Sequence, residues 1–174
     1  MEFCISTDFD LFETIKLLTP YVLAGVVYLI WHKQKEKEVI ANEAKELLNL
    51  IDKYKTTYLR VFLELHIYIH NNKDFDRKGL EEGRIDYFKA TKEFTSKLDL
   101  FLSLIIDTEL EEIKKDIELN TSKFGAIQLR FQDEQSLKDL SAILERSDKS
   151  CDSLKVKLIK YAMYKNRIIV PKSA

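Results

Sequence analysis

Glycine and proline are nearly missing from this chain, with four and two residues in 174. Average usage is about 7% and 5%. Few turn-formers among abundant Lys, Glu and Leu leave room only for a few long helices. Four glycines also rule out a glycine-rich phosphate loop. Cysteine is equally scarce. Cys4 and Cys151 belong to no motif and have no metal-ligand spacing, so both are expected as free thiols. An excess of one charge is lacking too: the net charge is −1, which gives no global field to draw in nucleic acid or an anionic surface. No Gly-x-Ser-x-Gly elbow appears and neither cysteine has a neighbouring histidine, so the parts of a nucleophilic enzyme are missing. The carboxylate pairs Glu81–Glu82 and Glu111–Glu112 are adjacent in sequence and point to different helix faces, so they do not converge on a substrate.

What the chain does contain is one long uncharged run. Leu17 to Trp31 lies between Lys16 and His32. Fifteen helical residues cover about 22 Å, short of the roughly 30 Å hydrocarbon core. Lys16 offsets the shortfall, because a lysine near a membrane boundary snorkels and lets Ile15 and Phe12 extend the apolar length. Tyr21, Tyr28 and Trp31 are amphipathic aromatics of the kind that anchor a span at the interface. A signal peptide fits poorly, since Met1 to Glu13 carries Glu2, Asp8, Asp10 and Glu13 and no Lys or Arg. The run is apolar on every face for four turns, which predicts a membrane span rather than a core helix. Lys33, Lys35 and Lys37 crowd its C-terminal flank. The positive-inside rule then places residues 1–14 outside as a short acidic N-terminus, residues 15–32 in the membrane, and the rest in the cytoplasm. The cytoplasmic part is balanced, with 27 basic and 25 acidic residues. Glu36 and Glu38 interleave with the lysines and mark a solvated collar.

From Ile40 the apolar residues fall at Ile40, Ala44, Leu47, Ile51, Tyr54, Tyr58, Val61, Leu65 and Tyr68, a 4-3 seam without interruption. Leu48, Leu59, Phe62, Leu63 and Ile69 add a second stripe, which asks for neighbours on two sides. Residues 33–70 are therefore expected as a juxtamembrane stalk and first bundle helix. The stalk part of the seam, Ile40, Ala44, Leu47 and Ile51, is expected to pair with a second copy or another membrane protein. Asn71, Asn72 and Asp74 favour a turn, and Gly79 and Gly83 bracket Leu80, Glu81 and Glu82 in a connection of about a dozen residues. The remaining helices are expected over 84–170. The first runs from Arg84 to Asp107 with Phe94, Leu98, Phe101 and Ile105 buried. Thr108 to Glu111 has capping-box form and marks a kink or fresh start. Asn120 and Gly125 read as terminators. Ala126 to Phe131 alternates, and strand, linker and helix all remain open there. A last helix begins at Asp133 on the seam Leu137, Leu140, Leu144, Ser147, Cys151, Leu154, Leu158, Tyr161, Lys165 and Ile168, thin where Ser147 and Cys151 sit.

The fold class is thus all-α: an N-terminal transmembrane helix continuing into a cytoplasmic antiparallel bundle of three to four long helices with coiled-coil-like heptad seams. The expected function is that of a single-pass anchored protein working by protein–protein interaction, a tether, adaptor or assembly subunit in the cell (inner) membrane. No catalytic activity, cofactor or nucleic-acid partner is expected. Three alternatives stand beside it. One is a membrane-active effector or toxin that oligomerises through its span. Another is a metal-dependent enzyme using His66 and His70, which lie four apart on one helix face, with Asp74 or Asp76 as a third ligand. The last is a soluble bundle with Leu17 to Trp31 in its core. Ser153 to Arg167 is basic without acidic neighbours and suits a membrane surface, nucleic acid or a helix C-terminus. The low-glycine, Lys- and Ile-rich style points to a bacterial source.

Overall fold

The computed structural model describes residues 11–70, 76–129 and 133–163. They form four helices and no strand: α1 (Leu11–His70), α2 (Arg77–Leu104), α3 (Thr108–Leu129) and α4 (Glu134–Ala162). Residues 1–10 of the acidic N-terminus, Cys4 among them, the turn residues Asn71, Asn72 and Asp74, and the seam positions Lys165 and Ile168 lie outside the described residues. The chain divides into two compact units between Glu38 and Val39.

In the first unit the apolar run is helical from end to end despite Pro20. Proline removes one backbone N–H from the helical ladder. One residue earlier, Thr19 donates its hydroxyl to the Ile15 carbonyl at 2.6 Å, a local bond of the kind that lets spanning helices carry proline.

The second unit is an antiparallel four-helix bundle. Lys97 of α2 pairs with Glu43 and Glu46 of α1 at 2.6 and 2.5 Å, Lys53 with Glu93 at 2.6 Å, and Arg60 with Asp86 at 3.4 Å. Partner numbers fall on α2 as they rise on α1, so the two helices run in opposite directions. Lys55 and Lys155 tie α1 to α4 through Asp148, Asp152 and Asp52. Lys114 with Asp99 joins α3 to α2, and Lys157 with Glu109 joins α4 to α3. Most of these pairs have at least one solvent-exposed member and contribute little stability, about 0–1 kcal/mol; Lys97 and Glu43 are the most covered, each 21% exposed. Together they report the register.

Stability comes from the seams. Ala44, Leu47, Ile51 and Val61 of α1, Phe94, Leu98 and Phe101 of α2, and Leu140, Leu154 and Leu158 of α4 are all fully buried in one core. Tyr68 is the exception on the α1 seam, at 39% exposed. In the second stripe Leu59 and Leu63 face solvent while Leu48 and Phe62 pack against the core edge. Ser147 and Cys151 do not thin the middle of α4. Both are buried, and their small side chains make room for Tyr54 and Tyr58 of α1.

The start of α2 and the end of α3 differ from expectation, and the break before Thr108 has a different cap. α2 starts at Arg77, so Gly79 and Gly83 lie within a helix rather than in a long connection. Its cap is Asp76, whose carboxylate accepts from the Lys78 N–H at 3.0 Å, and a Cβ on Gly79 would sit 2.8 Å from that carboxylate. The break before Thr108 occurs as expected, but Asp107 is the cap, accepting from the Leu110 N–H at 3.1 Å. α3 continues past Asn120 and Gly125 to Leu129. Asn120 is buried on the inner face, and Ala126 to Leu129 is helix. Arg130 and Phe131 lie outside the described residues. Asp133 caps α4 as expected, accepting from the Ser136 N–H at 2.8 Å.

Gly83 faces α1, where an added Cβ would meet Val61 Cγ2 at 3.6 Å, an ordinary contact. Glycine in a helix interior costs about 0.5–1 kcal/mol relative to alanine. Gly83→Ala should therefore stabilise the bundle by up to about 1 kcal/mol. A thermal melt of the variant checks this, and a lowered midpoint contradicts it.

Candidate functional site

The apolar run stands out once burial is known. Every large apolar residue from Leu17 to Trp31 is about half exposed or more, from 49% at Val26 to 72% at Tyr21. A Cβ on Gly25 would meet nothing within 4 Å. A contiguous apolar surface of this size marks a membrane or partner interface. By length and composition this helix is able to cross a membrane, and none of its most apolar window is buried. None of the residues from Leu17 to Trp31, which the alternative of a soluble bundle puts in its core, is among the buried core residues.

The predicted anchoring residues occupy the two ends of the run. Lys16 directs its ammonium toward the N-terminus, 4.5 Å from the Phe12 ring centroid, as helix side-chain geometry dictates. Tyr28 and Trp31 have ring centroids 6.4 Å apart at the other end, with His32 6.0 Å from Tyr28. In the collar Lys35 pairs with Glu38 at 2.8 Å; the hydrogen bond and charge from Lys35 lower the Glu38 carboxyl below its ordinary value. Lys33 and Lys37 are exposed.

The interaction seam is placed differently from expectation. Ile40, Ala44, Leu47 and Ile51 are between 0% and 4% exposed, covered by the chain's own helices. A seam needs any complementary seam, and this chain supplies it in cis. His66 and His70 are exposed with ring centroids 4.4 Å apart. Asp76 is engaged as the α2 cap, Asp74 is outside the described residues, and no group of three metal-ligating side chains occurs among the described residues. The basic stretch Ser153 to Arg167 does have acidic partners in space: Lys155 meets Asp52 at 2.5 Å and Lys157 meets Glu109. Lys165 and Arg167 lie outside the described residues.

Sequence reasoning missed a polar layer in the bundle. Tyr54 stacks on Phe94 at 5.3 Å and meets Tyr58 edge-on at 5.2 Å. Its hydroxyl lies 2.8 Å from Thr121 Oγ1 and 3.4 Å from Ser147 Oγ. Tyr58 donates to Asp148, which also accepts from Lys55. Burial alone would raise Asp148, but these bonds and the Lys55 charge bring it below the ordinary carboxylate value. The gap between Tyr54, Tyr58, Phe124 and Ser147 has no space for a water molecule. The layer is packing with satisfied polar tips, and nothing in it is open to a substrate. Deeper along the bundle Gln128 is fully buried with neither amide atom bonded.

Burial pushes the Cys151 thiol up to about 12. Folding thus favours the protonated thiol, a contribution complete below the ordinary thiol value and lost as pH rises toward 12. At pH 8 the thiolate, the reactive form, is scarcer by about a thousandfold than on a free cysteine with the ordinary value of 9.0. Cys151 should resist iodoacetamide in the folded protein and react within minutes in urea, read by mass spectrometry of its peptide. Fast labelling without denaturant would contradict the burial.

No protein-family model matches the chain, and neither does a curated protein or a solved structure. The chemistry of the site rests on its own geometry.

Proposed function

We propose that this chain is a single-pass membrane-anchored helical protein acting as a tether, adaptor or assembly subunit, with the bundle on the cytoplasmic side of the cell membrane. The observation that carries the reading is the exposed run from Leu17 to Trp31 beside a core that is complete without it. Apolar surface of that extent is stable only when lipid or another apolar surface removes it from water. The lysines at 33, 35 and 37 follow the run and support an outside N-terminus.

Because the stalk seam is filled from within, a partner meets either the span or the outer faces of the bundle. Cross-linking in native membranes tests the interaction: a specific adduct through residues of the span or the outer faces is expected, and an isolated monomer at every cross-linker length counts against it. Among the described residues the paired histidines offer two ligands where a zinc enzyme uses three. Metal analysis of the purified protein and of His70→Ala is expected to give no stoichiometric metal.

A further inference from the structure

We infer that the C-terminal end of α4 is a surface for anionic lipid headgroups, an inference that rests on the membrane-anchored reading above. On the outward face of α4, positions spaced by three, four or seven read Lys138, Glu145, Lys149, Asp152, then Val156, Ile159 and Met163. The stripe is charged with both signs up to Asp152 and apolar beyond it. Val156, Ile159 and Met163 are 58%, 45% and 54% exposed, while the opposite face, Leu154, Leu158 and Tyr161, fills the core. Solvent gives no reason for that change of character along one face; an interface does.

Charge identifies the occupant. No Asp or Glu follows Asp152, whereas Lys155, Lys157, Lys160, Lys165, Arg167 and Lys172 do. Lys155 and Lys157 are engaged by Asp52 and Glu109. Lys160, beside the apolar stripe, has no carboxylate partner among the described residues. Glu109, Glu112 and Asp116 of α3 line the groove beside Val156, so the surface is Ile159 and Met163 with Lys160 next to them: exposed apolar side chains beside that lysine, the composition that binds an anionic bilayer surface.

Connectivity puts this surface at the right end of the bundle. Tyr161 donates to Asp107 at 2.8 Å and its ring meets Phe101 at 5.5 Å, and Lys97 lies against Glu43. α4 therefore finishes at the end where the bundle opens with Val39 and Ile40. Seven residues, His32 to Glu38, separate that end from Trp31 in the sequence.

The full chain, reconstituted in phosphatidylcholine vesicles or in vesicles rich in phosphatidylserine, would be footprinted with an amine-acylating reagent. Lys160 should be modified about fivefold more slowly in the anionic vesicles, with the protection lost in high salt. Lys78 and Lys138, at the other end of the bundle, should not change. Retention in both vesicle types with Lys160 equally reactive overturns the inference and leaves the anchor standing. Failure of the chain to stay with neutral vesicles after carbonate overturns the anchor and this inference with it. Protection of Lys160 by added RNA, with none from anionic lipid, assigns the surface to nucleic acid and overturns the lipid reading.

Discussion

Carbonate washing should leave the full chain in the membrane pellet and move a chain beginning at Lys33 entirely into the supernatant, still helical. The eight Leu, Ile and Val residues between Leu17 and Trp31 contribute about −0.3 to −0.6 kcal/mol each on insertion scales. Their sum is about −2 to −5 kcal/mol. A single arginine at the centre of a span costs about 2.5–3.5 kcal/mol on the same scale. Val26→Arg therefore cancels most of the driving force and should also release the protein, without touching the core, which begins at Ile40. Sedimentation with immunoblotting, together with circular dichroism of the soluble form, reads both. An unfolded truncated chain, or a Val26→Arg protein retained as firmly as the parent, would be the result against a lipid anchor.

Phe94→Ala should cost the bundle about 3–5 kcal/mol, the range for removing a buried aromatic. Phe94 is fully buried and stacks on Tyr54 with an interplanar angle of 26°. Its loss leaves a void where four helices meet and removes one wall of the Tyr54 site. Domains are stable by only about 5–15 kcal/mol, so the variant should melt about 10 °C or more below the parent. Leu59→Ala, at a position 49% exposed, should cost less than about 1 kcal/mol. Equal effects of the two substitutions would mean that the seam does not carry the stability. Membrane retention should be unchanged in both, because neither residue belongs to the run.

The seams were legible because a 4-3 spacing is a property of one helix by itself. Ile40 to Leu65 on α1 and Leu137 to Tyr161 on α4 are buried where the period put them. The start of α4 was legible for the same reason: a cap such as Asp133 bonds to a backbone N–H only three residues away. Glycine misled in three places. At Gly79, Gly83 and Gly125 the helix runs on, since tertiary packing outweighs about 1 kcal/mol of propensity. Asn120 misled similarly, because its side chain is held on the buried face of α3.

The partner of the α1 seam was beyond reach of a pattern. Heptad spacing states that a face must be covered and says nothing of whether the cover comes from the same chain. Likewise Ser147 and Cys151 look like a weakness until Tyr54 and Tyr58 are seen to fill the space they leave. Lys155 and Lys157 look unpaired until Asp52 and Glu109 arrive from other helices.

By itself, then, the sequence determined an all-helical chain, the positions of its buried faces, and one run too apolar for water. Each depends on side chains a few residues apart. Which face meets which, that the core closes without the run, and that α4 ends where the bundle opens were decided only by the tertiary structure. Those depend on pairings between residues distant in sequence, up to 103 positions apart, and the same local patterns satisfy many of them equally well.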